Sequence, residues 1–321
     1  MVYNCSMANK KTVSQKYVKK QFSIVGIALM IYALVVIFMP IGAKICVENG
    51  LFPRIDNPKL SFIISFIGLI IGTVFPFMIV RRVFGTNLKE FTKKTEIDLS
   101  DYLINFVVYF GFVAASLYVN TIITKLLGVQ GVMLSDVGIV FNEILVDSPI
   151  YLFTFIFLSP LLEEYAFRGV LLNSLSKYGR YFALMMTTIV YTLAHASISE
   201  MIPSFVMGYL LAKMTLTYKS IRPSLFTHIM GNALLCAFAL VPEKYSIFSL
   251  VFIAILLILA IILVFSKKYN IISIGSSDSS KRAIKFFLSN IFVIIALLLF
   301  VMHTTLITLL KFSGKFVNIV V

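Results

Sequence analysis

The chain is predicted to be all-α, a polytopic bundle of about eight to nine transmembrane helices. Three observations predict this. Of its 321 residues, 60% are hydrophobic and only 13% charged, against roughly 45–50% and 25% in soluble domains. The mean hydropathy is +0.98. The apolar residues gather into nine segments long enough to cross a hydrocarbon core of about 30 Å, and the basic residues fall mostly between them.

The first segment, 22–46, follows a polar and basic tail and exceeds the roughly 7–15-residue core of a signal peptide, so it reads as a retained anchor. Segment 60–80 ends at Arg81 and Arg82, and 102–124 precedes one of the three longer loops. Asp147, Ser148 and Pro149 supply a capping residue and a proline at the first helical position, which starts the fourth segment, 149–176. Segments 181–199 and 201–218 follow after short connections. Arg222-Pro223 repeats the proline device and opens 223–241. Segment 245–266 ends at Lys267 and Lys268. The Ser-rich stretch from Ile274 to Ser280 reads as a flexible connector before the last segment, 286–310.

The formal net charge is +14, which in a soluble protein would point to nucleic acid. Here Lys and Arg alternate from side to side of the segments, so the positive-inside rule accounts for them without a nucleic-acid partner. It places the N-terminus in the cytoplasm and the chain in the cell membrane as a multi-pass protein, with its surface against the lipid bilayer. Cys5, Cys46 and Cys236 are scattered and form no CxxC pair, hence neither a disulfide framework nor a thiolate metal site. Trp is absent, so the 15 tyrosines must supply any interfacial aromatic belt. None of the loops has the length of a soluble catalytic domain.

Glu163, Glu164 and Arg168 interrupt the otherwise apolar fourth segment. Insertion scales charge about 2.5–3.5 kcal/mol for an Asp, Lys or Arg at the centre of a membrane helix, so such residues point to function. Glu164 and Arg168 stand four apart, and on a helix they pair and offset part of each other's desolvation. Glu163 lies about 100° around the helix and is not neutralised in this way, which suits a general base. A competing reading makes all three ordinary charges at the inner interface. It is weakened by depth, since Glu163 is 14 residues past Pro149, about 21 Å along a helix axis.

Two of the three histidines are intramembrane and close in sequence to this segment: His195 in segment 181–199 and His228 in segment 223–241. The spacing of four puts His228 and Asn232 on one helix face, with Gly231 allowing close approach of another helix or a substrate. Singly, each histidine reads at least as well as a packing residue. Together with Glu163, two His and an Asn supply what hydrolysis needs: a base or metal ligand, further ligands, and a donor for an oxyanion. His303 has no acidic or amide neighbour at helical spacing and reads as structural. HExxH, GxSxG and a membrane aspartyl pair are all absent, which disfavours covalent serine catalysis.

These residues resemble the CPBP intramembrane proteases, also called the Abi or CAAX protease family. That family's pattern is a paired Glu with Arg four residues after the second, then Phe with His four later, then His with Asn four later, on separate membrane helices. The first motif, Glu163 to Arg168, and the third, His228 to Asn232, are intact. In the second, Tyr191 stands where Phe is usual, four residues before His195, and only a packing effect is expected of it. The resemblance covers residues 149–241. It implies an intramembrane endopeptidase with Glu163, His195, His228 and Asn232 as its essential set, and Glu164 and Arg168 as supporting residues.

The resemblance leaves open whether Zn²⁺ assists, held by His195, His228 and Glu163, or whether a metal-free glutamate mechanism operates. In the expected mechanism Glu163, with His195, activates water against a peptide carbonyl of a membrane-associated peptide or protein substrate, and His228 and Asn232 steady the oxyanion. A further expectation concerns depth: His228 lies only five residues past Pro223 while His195 lies deeper, so either the helix ends differ from this reading or the site opens towards the cytoplasm. The chain divides into 1–148, a basic tail and three membrane helices; 149–241, the catalytic core; and 242–321, C-terminal membrane helices. Two other classes compete. One is a non-catalytic membrane scaffold or bacteriocin-immunity protein of the same fold. The other is a proton-coupled transporter, which would need inverted repeats that the sequence does not show.

Overall fold

The computed structural model of the protein describes residues 15–48, 57–92, 97–126, 149–195, 198–269 and 274–312. Cys5, the cap at Asp147 and Ser148, and most of loop 125–148 lie outside the described residues. Within them the regular structure is helical, with no strand. The helices are α1 (Gln15–Glu48), α2 (Asn57–Phe84), the short α3 (Leu88–Phe91), α4 (Leu99–Leu126), α5 (149–176), α6 (Arg180–Ala194), α7 (Met201–Tyr218), α8 (Arg222–Ala239), α9 (Ser246–Phe265), α10 (Asp278–Leu288) and α11 (Ile291–Phe312).

Glycine lets the long helices approach closely, as expected where lipid-embedded helices pack through small residues. A Cβ on Gly26 of α1 would lie 2.6 Å from the Val293 backbone nitrogen of α11, and one on Gly111 of α4 would lie 2.8 Å from the Leu256 carbonyl oxygen of α9. Two interiors result. One joins α1, α2, α5, α6, α10 and α11 around Phe22, Tyr32, Phe77, Phe167, Phe182 and Phe287. The other joins α4, α7 and α9 around Val108, Phe110, Leu210 and Leu256. On the outside α9 exposes Ile247, Phe248, Val251, Ile255, Ile258 and Ile262, an apolar face of the kind that lipid covers.

By length and composition, four helical stretches among the described residues can cross a membrane: Gln15–Met39, Phe66–Phe84, Leu99–Leu126 and Ile247–Phe265. A fifth is added if the bent pair Asp278–Leu288 and Ile291–Leu306 is one span. The difference from eight or nine lies in the core. There α6 has 15 residues, and α7 and α8 have 18 each, and these helices carry the polar groups that lower their hydropathy. They are shielded by neighbours, so each need not be a uniform apolar rod.

The expected flexible connector before the last segment is corrected at its end. Ser277 accepts the Ser280 backbone N–H at 3.2 Å and so caps α10, the role for which Ser is preferred at a helix start. Ser280, Ala283 and Phe287 of α10 are buried, while Lys281, Arg282 and Lys285 are exposed. After Leu288 the chain turns by 73° into α11.

Candidate active site

α5 is one run of helix widened twice into π-helical turns, at Thr154–Leu158 and Glu164–Leu172. Pro160 shapes the first. In an α-helix the Phe155 carbonyl would accept the Ser159 N–H, but that N–H goes to Thr154 O, and residue 160 has none to give. The Phe155 carbonyl accepts Asn232 Nδ2 at 2.9 Å, so a proline in α5 docks the Asn of α8. Glu163 ends the α-helical piece between the two π turns, and Glu164 begins the second.

Glu164 and Arg168 are both completely buried, and Arg168 Nη1 lies 3.0 Å from Glu164 Oε1. Glu164 Oε2 and the guanidinium nitrogens have no hydrogen-bond partner among the described residues, so the contact is an electrostatic pair and not an aligned fork. The guanidinium also lies over the Tyr191 ring, 4.2 Å from its centroid. His228 on α8, 2% exposed, bridges the two acids. Its Nδ1 is 3.1 Å from Glu164 Oε1 and its Nε2 is 3.9 Å from Glu163 Oε2. Adjacent carboxylates thus reach the two nitrogens of one imidazole, a role for Glu164 that i,i+4 pairing alone does not reveal.

His195 is the C-cap of α6, at the helix end. Its Nδ1 lies 2.9 Å from the Tyr191 carbonyl oxygen and its ring is 4.5 Å from the Tyr191 ring. A carbonyl only accepts, so Nδ1 carries a proton and Nε2 takes no part in this bond. His195 is part of the electrostatic surroundings of Glu163. His228, near the start of α8, reaches both glutamates of α5.

Three contacts at the site were not anticipated. The Tyr191 hydroxyl donates to Glu163 Oε2 at 2.6 Å, and the Ser159 hydroxyl donates to Glu163 Oε1 at 2.9 Å. Tyr109 of α4 fills the space that Gly231 opens, where a Cβ would lie 2.6 Å from Tyr109 Cε1. Ser159 was visible as a hydroxyl four residues before Glu163, and Tyr191 as the departure in the second motif. Glu163 stays 21% exposed, enough for water to reach it. A cavity of about 30 Å³ lies against it, lined by Tyr32, Thr73, Ser159, Glu163 and Phe167 among others, large enough to hold water.

The fit to a metal is poor. Among the described residues no three His, Cys, Asp or Glu side chains gather as a ligand set, whereas a catalytic Zn²⁺ needs three that converge.

No curated protein and no solved structure matches the chain. Residues 145–234, the segment that carries Glu163, His195, His228 and Asn232, match the family described as type II CAAX prenyl endopeptidase Rce1-like, and it is to that CAAX protease family that this segment is similar.

Proposed function

We propose that the protein is an intramembrane endopeptidase that hydrolyses a peptide bond of a membrane-associated protein or peptide, with residues 149–241 as its catalytic core. The observation that carries this reading is the buried meeting of Glu163, Glu164 and His228 from two helices of a membrane bundle. Ionisable groups there are costly to insert, so their convergence points to function. Glu163 is the base. It takes a proton from water while the water oxygen attacks the carbonyl carbon, and it passes that proton to the leaving amine as the peptide C–N bond breaks. His195, neutral with Nε2 as its acceptor, assists in drawing the proton from water.

Protonated on both nitrogens, His228 is held by Glu164 through Nδ1–H and presents Nε2–H to the oxyanion. Asn232 gives one N–H to Phe155 and has a second to offer on the same side chain. Such donors act strongly in a dry site because they need no reorganisation. No step is routed through Zn²⁺, since three ligands do not gather among the described residues. The basic loops support a cytoplasmic N-terminus, and the extended substrate enters from the membrane or its cytoplasmic face.

The test is cleavage of internally quenched membrane peptides by detergent-purified protein, wild type against His228→Gln and Asn232→Ala. Rates at least about 100-fold below wild type for His228→Gln are expected from loss of an oxyanion donor. Wild-type rates in His228→Gln would defeat this assignment.

A further inference from the structure

We infer that Tyr191, through its hydroxyl, is a positioning residue for Glu163, and that it and Ser159 hold the carboxylate in its working orientation from opposite sides. The inference rests on the reading of Glu163 as the base. Each Glu163 oxygen has its own hydroxyl donor: Oε1 accepts from Ser159 at 2.9 Å and Oε2 from Tyr191 at 2.6 Å. A two-point hold fixes the carboxylate plane, so that Glu163 faces the His228 imidazole with Nε2 at 3.9 Å from Oε2. A carboxylate held by one hydroxyl could rotate about its last torsion, which is broad and roughly two-fold.

The phenol is itself held rigidly. The Tyr191 side chain is fully buried. Arg168 lies over its face at 4.2 Å, Phe167 meets it edge-on at 5.1 Å, and Gly208 of α7 admits the ring, since a Cβ there would lie 3.0 Å from Tyr191 Cδ1. The same residue's carbonyl accepts from His195. Tyr191 is therefore a junction: its ring is set by Arg168, its hydroxyl sets Glu163, and its carbonyl sets the tautomer of His195. This gives Arg168 a route to Glu163 that does not pass through Glu164.

The experiment compares full-length wild type, Tyr191→Phe, Ser159→Ala, the double variant and Glu163→Gln in lipid nanodiscs. Phe keeps the ring that Arg168 and Phe167 pack against and removes only the hydroxyl. On a quenched peptide that the wild type cleaves, kcat is expected to fall about tenfold in Tyr191→Phe. KM and the melting temperature should stay at wild-type values, and the double variant should lose more than either single one. In parallel, the infrared carboxylate band of Glu163, assigned by difference from Glu163→Gln, is expected to move in Tyr191→Phe.

Wild-type kcat and an unmoved band in Tyr191→Phe, with Glu163→Gln inactive, would overturn the inference and leave the protease intact. A fall in kcat matched by a fall in melting temperature, with the band unmoved, would also overturn it by making Tyr191 a packing residue. If the wild type cleaves nothing, the proposed activity fails, and the infrared band alone decides whether Tyr191 holds Glu163.

Discussion

Arg168 is a full cation with no exposure, set between the Glu164 carboxylate and the face of Tyr191. Removing one member of such a pair leaves the other charged and unmatched in a low-dielectric interior, which costs about 3–5 kcal/mol. Arg168→Ala is therefore expected to lower stability by about that amount, read as lost melting temperature and lost membrane abundance. Undiminished abundance would show that the pair is dispensable. Glu163 differs in kind, because it is partly exposed and is held by hydroxyls. The sequence pointed to both from spacing alone. It did not show that His228 would bridge both acids, because the meeting of α5 and α8 depends on tertiary packing that no local period encodes.

At the scale of elements, α5 decides the geometry. Its π turns are a departure from the regular helix that periodicity assumes, and single π turns are commonly found at functional sites. Pro160 was in plain sight, yet its consequence lies on another helix, where the Phe155 carbonyl receives Asn232. Pro160→Ala would restore a backbone donor that competes with Asn232 for Phe155, and is expected to lower kcat about tenfold while the melting temperature holds. An unchanged rate would sever the link between Pro160 and Asn232. Close helix contacts offer a second element-scale prediction. Gly111→Leu forces α4 away from the Leu256 carbonyl and should destabilise by roughly 1–3 kcal/mol, measured by thermal unfolding in detergent; no change would show that the two helices do not meet there.

For the molecule as a whole, the all-helical, multi-pass membrane character was legible in composition and in the alternation of basic loops. The number of spans was not, because the helices that surround the site are short, polar on one face and covered by neighbours. Apolar runs of similar length therefore do different work, with α9 facing outward and α6 lying within. The placement of charge makes a whole-molecule prediction. Single cysteines at Lys89, Lys177 and Lys281 in a cysteine-free background should all label with an impermeant thiol reagent from the cytoplasmic side; labelling of any from outside would contradict the proposed orientation.

The central claim is that Glu163 activates water for peptide hydrolysis. It is tested most directly by incubating purified wild type and Glu163→Gln, matched for amount and melting temperature, with quenched membrane peptides and reading the cleaved bond by mass spectrometry. The account predicts incorporation of one oxygen from ¹⁸O-labelled water into the new carboxyl terminus by the wild type, and no cleavage by Glu163→Gln. Equal cleavage by both proteins would contradict it.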